Sequence, residues 1–301
     1  MSTLTDWLRD PSPASRRQAR LGQAYLSWLR LKNNRLAVIG LGIVLALVIV
    51  AIFAPVLAPH DPITQDLRAR LLPPLTAGHP LGTDDFGRDI LSRLIVGSRI
   101  TLYIILLVAV TAPVFGLLVG TVAGYFGGWI DEVLMRITDI FLAFPKLILA
   151  LALVAVMGPG IINAVLAIAV TSWPPYARVA RAETLTVRSS DYIAAVRLQG
   201  AGAVRIIWGH IMPMCLPSVI IRVTLDMAGV ILIAAGLGFL GLGVQPPMPE
   251  WGAMISAGRK YLFEQWWVAT MPGLAIFTVS LGFNLLGDGL RDVLDPRNSG
   301  K

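Results

Sequence analysis

The chain has 301 residues, 55% of them hydrophobic and 14% charged, with a mean hydropathy of +0.71, whereas a soluble domain carries roughly 25% charged residues. That balance excludes a soluble globular domain and places most of the chain in lipid. The net charge of +7 and pI near 10.0 do not point to nucleic acid, because the basic residues are spread between apolar spans and not gathered with aromatics on a polar domain; positive-inside topology accounts for them.

Some 35 polar or amphipathic residues, 1-35, precede the first apolar run, an arrangement unlike a cleavable signal peptide. Leu21, Tyr25, Trp28 and Leu29 recur at helical spacing among Arg16, Arg17, Arg20, Arg30 and Lys32, which predicts a helix lying on an anionic membrane surface. Residues 36-57 are long enough to cross a bilayer. The polar segment 58-99 follows, with His79–Arg93 reading HPLGTDDFGRDILSR. Thr83 or Asp84 is placed to cap a helix there, and Asp89 with Arg93 to form an i,i+4 pair on its solvated face.

Within 100-290 the spacing predicts five more spans. Ile100–Val122 contains Pro113 and is followed on one side by Gly116, Gly120, Gly124 and Gly128, a bare stripe that admits a neighbouring helix. The third span, Phe141–Met157, follows a polar turn from Trp129 to Asp139. Ile161–Trp173 is the fourth, with Pro174-Pro175 expected to kink or break it. Leu216–Leu242 is the fifth; Arg222 and Asp226 lie four residues apart on it, either as a self-satisfied snorkelling pair or lining a pathway. Val244–Trp266 is a Pro-rich, aromatic loop with Trp251, Tyr261 and Trp266, beside Trp267, suited to an interfacial belt. Ala269–Leu286 is the sixth span and 291-301 the tail.

Between the fourth and fifth spans lies a polar interval, about 178-213. Its stretch Asp191–Pro213 reads DYIAAVRLQGAGAVRIIWGHIMP. Ser190 or Asp191 caps a short helix to Gln199, Gly200 stops it, and a second run follows from Ala203 to Met212. A helix of about eight residues cannot hold itself together in water, so it needs a surface to dock on. Counting Lys and Arg gives fifteen on the side of both termini and this interval against seven on the other, which predicts that termini and interval face the cytoplasm.

No Walker A loop, zincin helix or nucleophile elbow occurs, and the glycine pattern at Gly236–Gly241 lies inside an apolar span with no strand before it. Cys215 is the only cysteine, which excludes an intramolecular disulfide framework and leaves burial as its role. His60, His79 and His210 are far apart in sequence and assigned to both sides of the membrane, so no metal site is expected. These observations disfavour an enzyme.

Four segments in order resemble the permeases of binding-protein-dependent ABC importers of the dipeptide/oligopeptide type, specifically the second, or C, permease. They are Gly82, Thr83, Asp84, Gly87, Arg88, Asp89, Ser92 and Arg93; then Gly124–Arg136; then Phe239–Met254; then Phe283–Pro296. The Asp191–Pro213 stretch is similar to that family's EAA loop at Ala194, Ala195, Val196, Gly200, His210, Met212 and Pro213. Ala194 stands where the motif has Glu, with Asp191 three residues away, and His210 where it has Ile.

The resemblance implies an all-α polytopic subunit of six transmembrane helices in the bacterial inner membrane, forming half a pore with a homologous permease. Its implied partners are two ABC ATPase subunits, which use the ATP and Mg, and an extracytoplasmic solute-binding protein; this chain would bind no cofactor. The coupling residues would be Asp191, Ala194, Ala195, Val196, Arg197, Gly200, Arg205, His210 and Pro213. The binding protein would dock on the outer loops, including Gly82, Thr83, Asp84, Gly87, Arg88, Asp89 and Arg93. The substrates implied are short peptides, with nickel complexes, glutathione-like peptides and opine-like compounds as relatives' cargo. A secondary transporter would show coupling-ion residues and internal repeats, neither of which is evident. A non-transporting assembly subunit would not need a capped docking helix pair.

Overall fold

The computed structural model describes residues 7–8 and 15–294. The charges Arg9, Arg297 and Lys301 and the last residues of the Phe283–Pro296 segment lie outside the described residues. Helix α1 covers Arg16–Asn33, α2 Arg35–Leu57, α3 Ile90–Phe126, α4 Gly128–Ala143, α5 Lys146–Met157 and α6 Ile161–Arg188. Then come α7 Asp191–Leu198, α8 Ala203–Ile206, α9 Met212–Phe239, α10 Trp251–Gly258 and α11 Trp267–Leu294. Among the described residues the only β pairing is two isolated bridges, Thr76 to His79 and Thr83 to Asp89.

The fold is all-α and polytopic. Helices α2, α3, α11 and the run Ala203–Phe239 are long and apolar enough to cross a membrane, and α4 with α5 makes a fifth span if their 92° bend is counted as one. The bend falls at Phe144, which is extended (φ −94°, ψ 140°) because the ring of Pro145 disfavours the helical region for the residue before it. The third span is therefore broken, not straight.

Helix α6 corrects the expectation of a break. It runs for 28 residues without interruption through Pro174 and Pro175. Proline removes an N–H and crowds the previous turn, yet the helix continues because a packed neighbour holds it together. The helix is clamped: Trp173, Tyr176, Ala177 and Ala180 are buried where α6 meets α3.

That meeting is made by the glycine stripe. A Cβ at Gly116 falls 2.6 Å from the Trp173 carbonyl oxygen, one at Gly124 falls 2.8 Å from Thr184 Cβ, and one at Gly120 collides with the Ala177 carbonyl and lies 2.8 Å from Ala180 Cβ. The two backbones approach as closely as small-residue membrane interfaces allow. Gly128 is not part of the stripe; it opens α4 at φ +55° with open space around it. A second glycine contact, not anticipated from sequence, joins α2 to α11, where Gly40 meets Gly282 and Leu286 and Gly289 meets Ala37.

These contacts fix the ends of the bundle. Asn34, at the start of α2, donates from Nδ2 to Asp292 near the end of α11 at 3.2 Å. Arg188 donates to the Gly124 carbonyl at 3.2 Å and Arg197 lies over the Tyr125 ring at 5.4 Å, so residues 189–211 gather at the C-terminal end of α3. Residues 58–89 gather at its N-terminal end, roughly 50 Å away at 1.5 Å per residue.

Candidate functional site

Helix α7 is capped as its sequence demands: Ser190 Oγ accepts from the Ile193 amide at 3.4 Å, and Asp191 lies in the first turn, where its charge complements the helix dipole. Gly200 ends it at φ +83°, a conformation that costs other residues about 1–2 kcal/mol. The second run does not stop at Pro213. It passes from α8 through a π-helical turn, Ile207–Ile211, directly into α9, with Pro213 in the first turn of α9. The loop and a long apolar helix are thus one continuous rod.

The base of the loop is fastened. Ile193, Ile206, Ile207 and Ile211 are buried; the Tyr192 hydroxyl and His210 Nδ1 are hydrogen-bonded at 2.6 Å, joining α7 to the π turn. Beside it Arg181 donates to both Asp131 oxygens at 2.5 and 2.6 Å. The outer surface is different. Asp191, Ala194, Ala195, Arg197, Gly200, Arg205 and Pro213 are exposed, Val196 and His210 half-buried. Among them stand Leu198 at 90% exposure, Val204 at 72%, Trp208 at 60% and Tyr192 at 51%.

At the other end of α3 the 58–89 segment is not a solvated helix. Asp89 is itself the N-cap of α3, its carboxylate accepting from the Ser92 amide and hydroxyl, both at 2.7 Å. Asp84 accepts from the Phe86 amide (2.9 Å), the Arg88 amide (3.0 Å) and Arg88 Nε (2.7 Å). Arg93 does not pair with Asp89: its Nε lies 3.5 Å from Asp84 and its Nη1 donates to the Pro62 carbonyl at 2.8 Å. Thr83 Oγ1 accepts from the Leu72 amide at 2.8 Å. At Gly87 (φ +72°) a side chain would collide with the Asp66 carbonyl. Gly82, Thr83, Asp84, Gly87, Arg88, Asp89 and Arg93 are all buried. They are internal struts, so the expectation that they touch a docking protein is corrected; a charged side chain is buried only when paired, and Asp84 is paired with Arg88 and Arg93 while Asp89 is held by Ser92 and His79.

The histidine expectation is corrected in part. His210 stands at the far end of α3, but His60 and His79 stack at 4.8 Å between ring centroids, with His79 Nδ1 3.0 Å from Asp89 Oδ1.

The sequence profile described as the binding-protein-dependent transport system inner membrane component matches residues 116–300. A second, described as the N-terminal TM domain of oligopeptide transport permease C, matches residues 22–74. The chain is similar to the probable D,D-dipeptide transport system permease protein of Escherichia coli K12, 46% identical over 95% of both chains. It is also similar to the di/tripeptide transport system permease protein of Pseudomonas aeruginosa, 46% identical over 90% of this chain and 91% of the relative. To the glutathione transport system permease protein of Pectobacterium atrosepticum it is 42% identical over 90% of both.

The chain belongs to the binding-protein-dependent transport permease family.

Its role is that of a membrane-embedded ABC permease. In this permease Arg222 and Asp226 pair with each other, Nη2 to Oδ1 at 3.0 Å, Arg222 being 40% and Asp226 14% exposed by side chain. Asp226 also faces the buried Tyr176 of α6. The permease carries site features that sequence reasoning passed over. Leu198, Val204 and Trp208 were legible as apolar letters inside a polar interval, but which of them stay uncovered depends on how α7 and the π turn fold back on α3 and α6.

Glu250 was also passed over. It caps α10, accepting from the Gly252 amide at 2.8 Å and the Ala253 amide at 2.7 Å, and is buried against Gly238. Burial pushes its carboxyl above the ordinary 4.5, partly offset by those two amides. With the folded value raised, the native state holds this proton longer than the unfolded chain, so its contribution to stability is full below pH 4.5 and is lost as pH rises through the folded value. Glu250→Gln keeps an acceptor and removes the charge. Its thermal unfolding midpoint in detergent should fall less than the wild type's across that window; parallel curves would remove Glu250 as a source of the pH dependence.

Proposed function

We propose that this permease forms half of the translocation pore of an ATP-driven importer of short peptides, paired with a homologous permease and driven by two separate ATPase subunits through Asp191–Pro213. The observation that carries it is the uncovered apolar surface of that loop. Leu198, Val204, Trp208 and Tyr192 project from a short helix pair whose base is fixed, and contiguous exposed apolar surface on a polar segment marks a protein contact. Arg197 and Arg205 at its margin offer charge to acidic groups on the partner.

In this reading the end holding the loop, the start of α2 and the end of α11 faces the cytoplasm, following the Lys and Arg bias. The opposite end receives the solute-binding protein, and six spans cross the inner membrane, with α6 as the most polar. ATP-driven closure of the ATPase pair pushes α7, and the rod from Ala203 to Phe239 carries that displacement into the bundle as a rigid-body shift. The pair Arg222 and Asp226 lies on that rod and is assigned to the pathway, where it suits the termini of a zwitterionic peptide. The peptide class rests on relatives whose names specify D,D-dipeptides, di- and tripeptides and glutathione. ATP and Mg belong to the partner subunits, and this chain holds no cofactor.

The test is reconstitution of the permease pair with its ATPases in proteoliposomes. A peptide-loaded binding protein should stimulate ATP hydrolysis and peptide uptake together; no stimulation by any short peptide overturns the proposal. Uptake unchanged in an Arg222→Gln, Asp226→Asn double variant removes those two residues from the pathway.

A further inference from the structure

His60, His79 and Asp89 come from three separate places: just after α2, the Thr76–His79 turn and the N-cap of α3. The structure brings one ligand atom of each to within 4.8 Å of the others. His79 Nδ1 is 3.0 Å from Asp89 Oδ1 and His60 Nδ1 is 3.9 Å from Asp89 Oδ2, while bonds of about 2.0–2.1 Å set tetrahedral ligand atoms roughly 3.3 Å apart. Closing the set from 4.8 Å requires ligand separations to shrink by up to about 1.5 Å, and His60, with 43% of its side chain exposed, is free to move. Asp89 is fully buried by side chain and oriented from behind, since Ser92 donates twice to its Oδ2 and leaves Oδ1 turned to His79. Hydrogen bonds of this kind hold a ligating carboxylate in place. In front of the three lies a cleft of about 360 Å³ lined also by Asp61, Thr64 and Asp66, room for water to complete the coordination.

We propose that His60, His79 and Asp89 bind one divalent transition-metal cation of the zinc class. Two imidazoles and one carboxylate suit Zn, Ni, Cu or Fe(II) and not Ca or Mg, which take oxygen ligands. The bound ion clips the loop between residues 60 and 89 to the first turn of α3; a clip across a long loop restrains more chain freedom than one across a short loop. Binding displaces the proton that one nitrogen of His79 shares with Asp89 and involves no redox step. The inference does not depend on which peptide is carried.

The test uses the full-length permease in detergent, made without a polyhistidine tag, stripped by chelator and titrated with Zn²⁺. Calorimetry and elemental analysis should give one Zn²⁺ per chain, and X-ray absorption a shell of nitrogen and oxygen without sulfur. The His60→Gln, His79→Gln double variant should lose that ion. Ser92→Ala should weaken binding by about 10- to 100-fold. The single variant His60→Gln, at an exposed position, guards against misfolding and should also weaken binding. Failure to retain Zn²⁺, equal retention by the double variant, or a sulfur ligand from Cys215 overturns the assignment.

Discussion

Trp208→Ala and Ala195→Glu each give a permease that inserts and folds but supports no ATP-driven uptake. Both side chains lie on the exposed surface of the loop, so neither substitution touches the buried core of this chain, and circular dichroism in detergent should match the wild type. The loss lies in docking. Truncating an aromatic anchor at an interface costs about 2 kcal/mol or more, roughly 30-fold in affinity, and a carboxylate at Ala195 brings an unpaired charge into a close contact. Ala194→Glu is the informative contrast, because it places the acid where the family motif carries one; coupling should survive it. Stimulated ATPase activity and peptide uptake measured for all three variants decide the matter. Wild-type uptake by Trp208→Ala and Ala195→Glu would remove the loop from the coupling path.

Gly120→Leu acts at the opposite level and destroys the fold. A Cβ there already collides with the Ala177 carbonyl and crowds Ala180 Cβ and the Arg181 amide at 2.8 and 2.9 Å, so α3 and α6 must separate. Overpacking costs about 1–3 kcal/mol where side chains can yield; here the obstacle is backbone, which cannot. Separation also pulls Arg181 away from Asp131. The expected result is loss of folded permease in detergent extracts, read by size-exclusion chromatography, with Gly128→Leu as the control at an open position of the same repeat, where strain from φ +55° is the only penalty. Normal recovery of Gly120→Leu would show that the stripe is not a packing seam.

Much of the architecture was legible because lipid simplifies the rules: backbone groups must pair within the span, so long apolar runs read as helices. The stop of α7 at Gly200 and the cap at Ser190 were likewise local and readable. The failures were those in which distant residues overruled local preference. Pro174-Pro175 reads as a kink or a break, yet α6 continues unbroken across it, packed on α3. Asp89 and Arg93 read as a pair, yet Asp89 caps α3 and Arg93 turns to Asp84 and the Pro62 carbonyl.

By itself the sequence determined that this is an all-α membrane permease with a capped polar interval between two long helices, since composition, caps and the family segments are properties of the chain read in order. Only the tertiary structure decided that the signature residues from Gly82 to Arg93 are buried struts, that the loop continues as one rod into α9, and that two histidines assigned to no common site meet at Asp89. The reason is the same in each case. Burial and convergence depend on which side chains the packed helices bring together across tens of residues, and that information resides in the contacts, not in any local stretch.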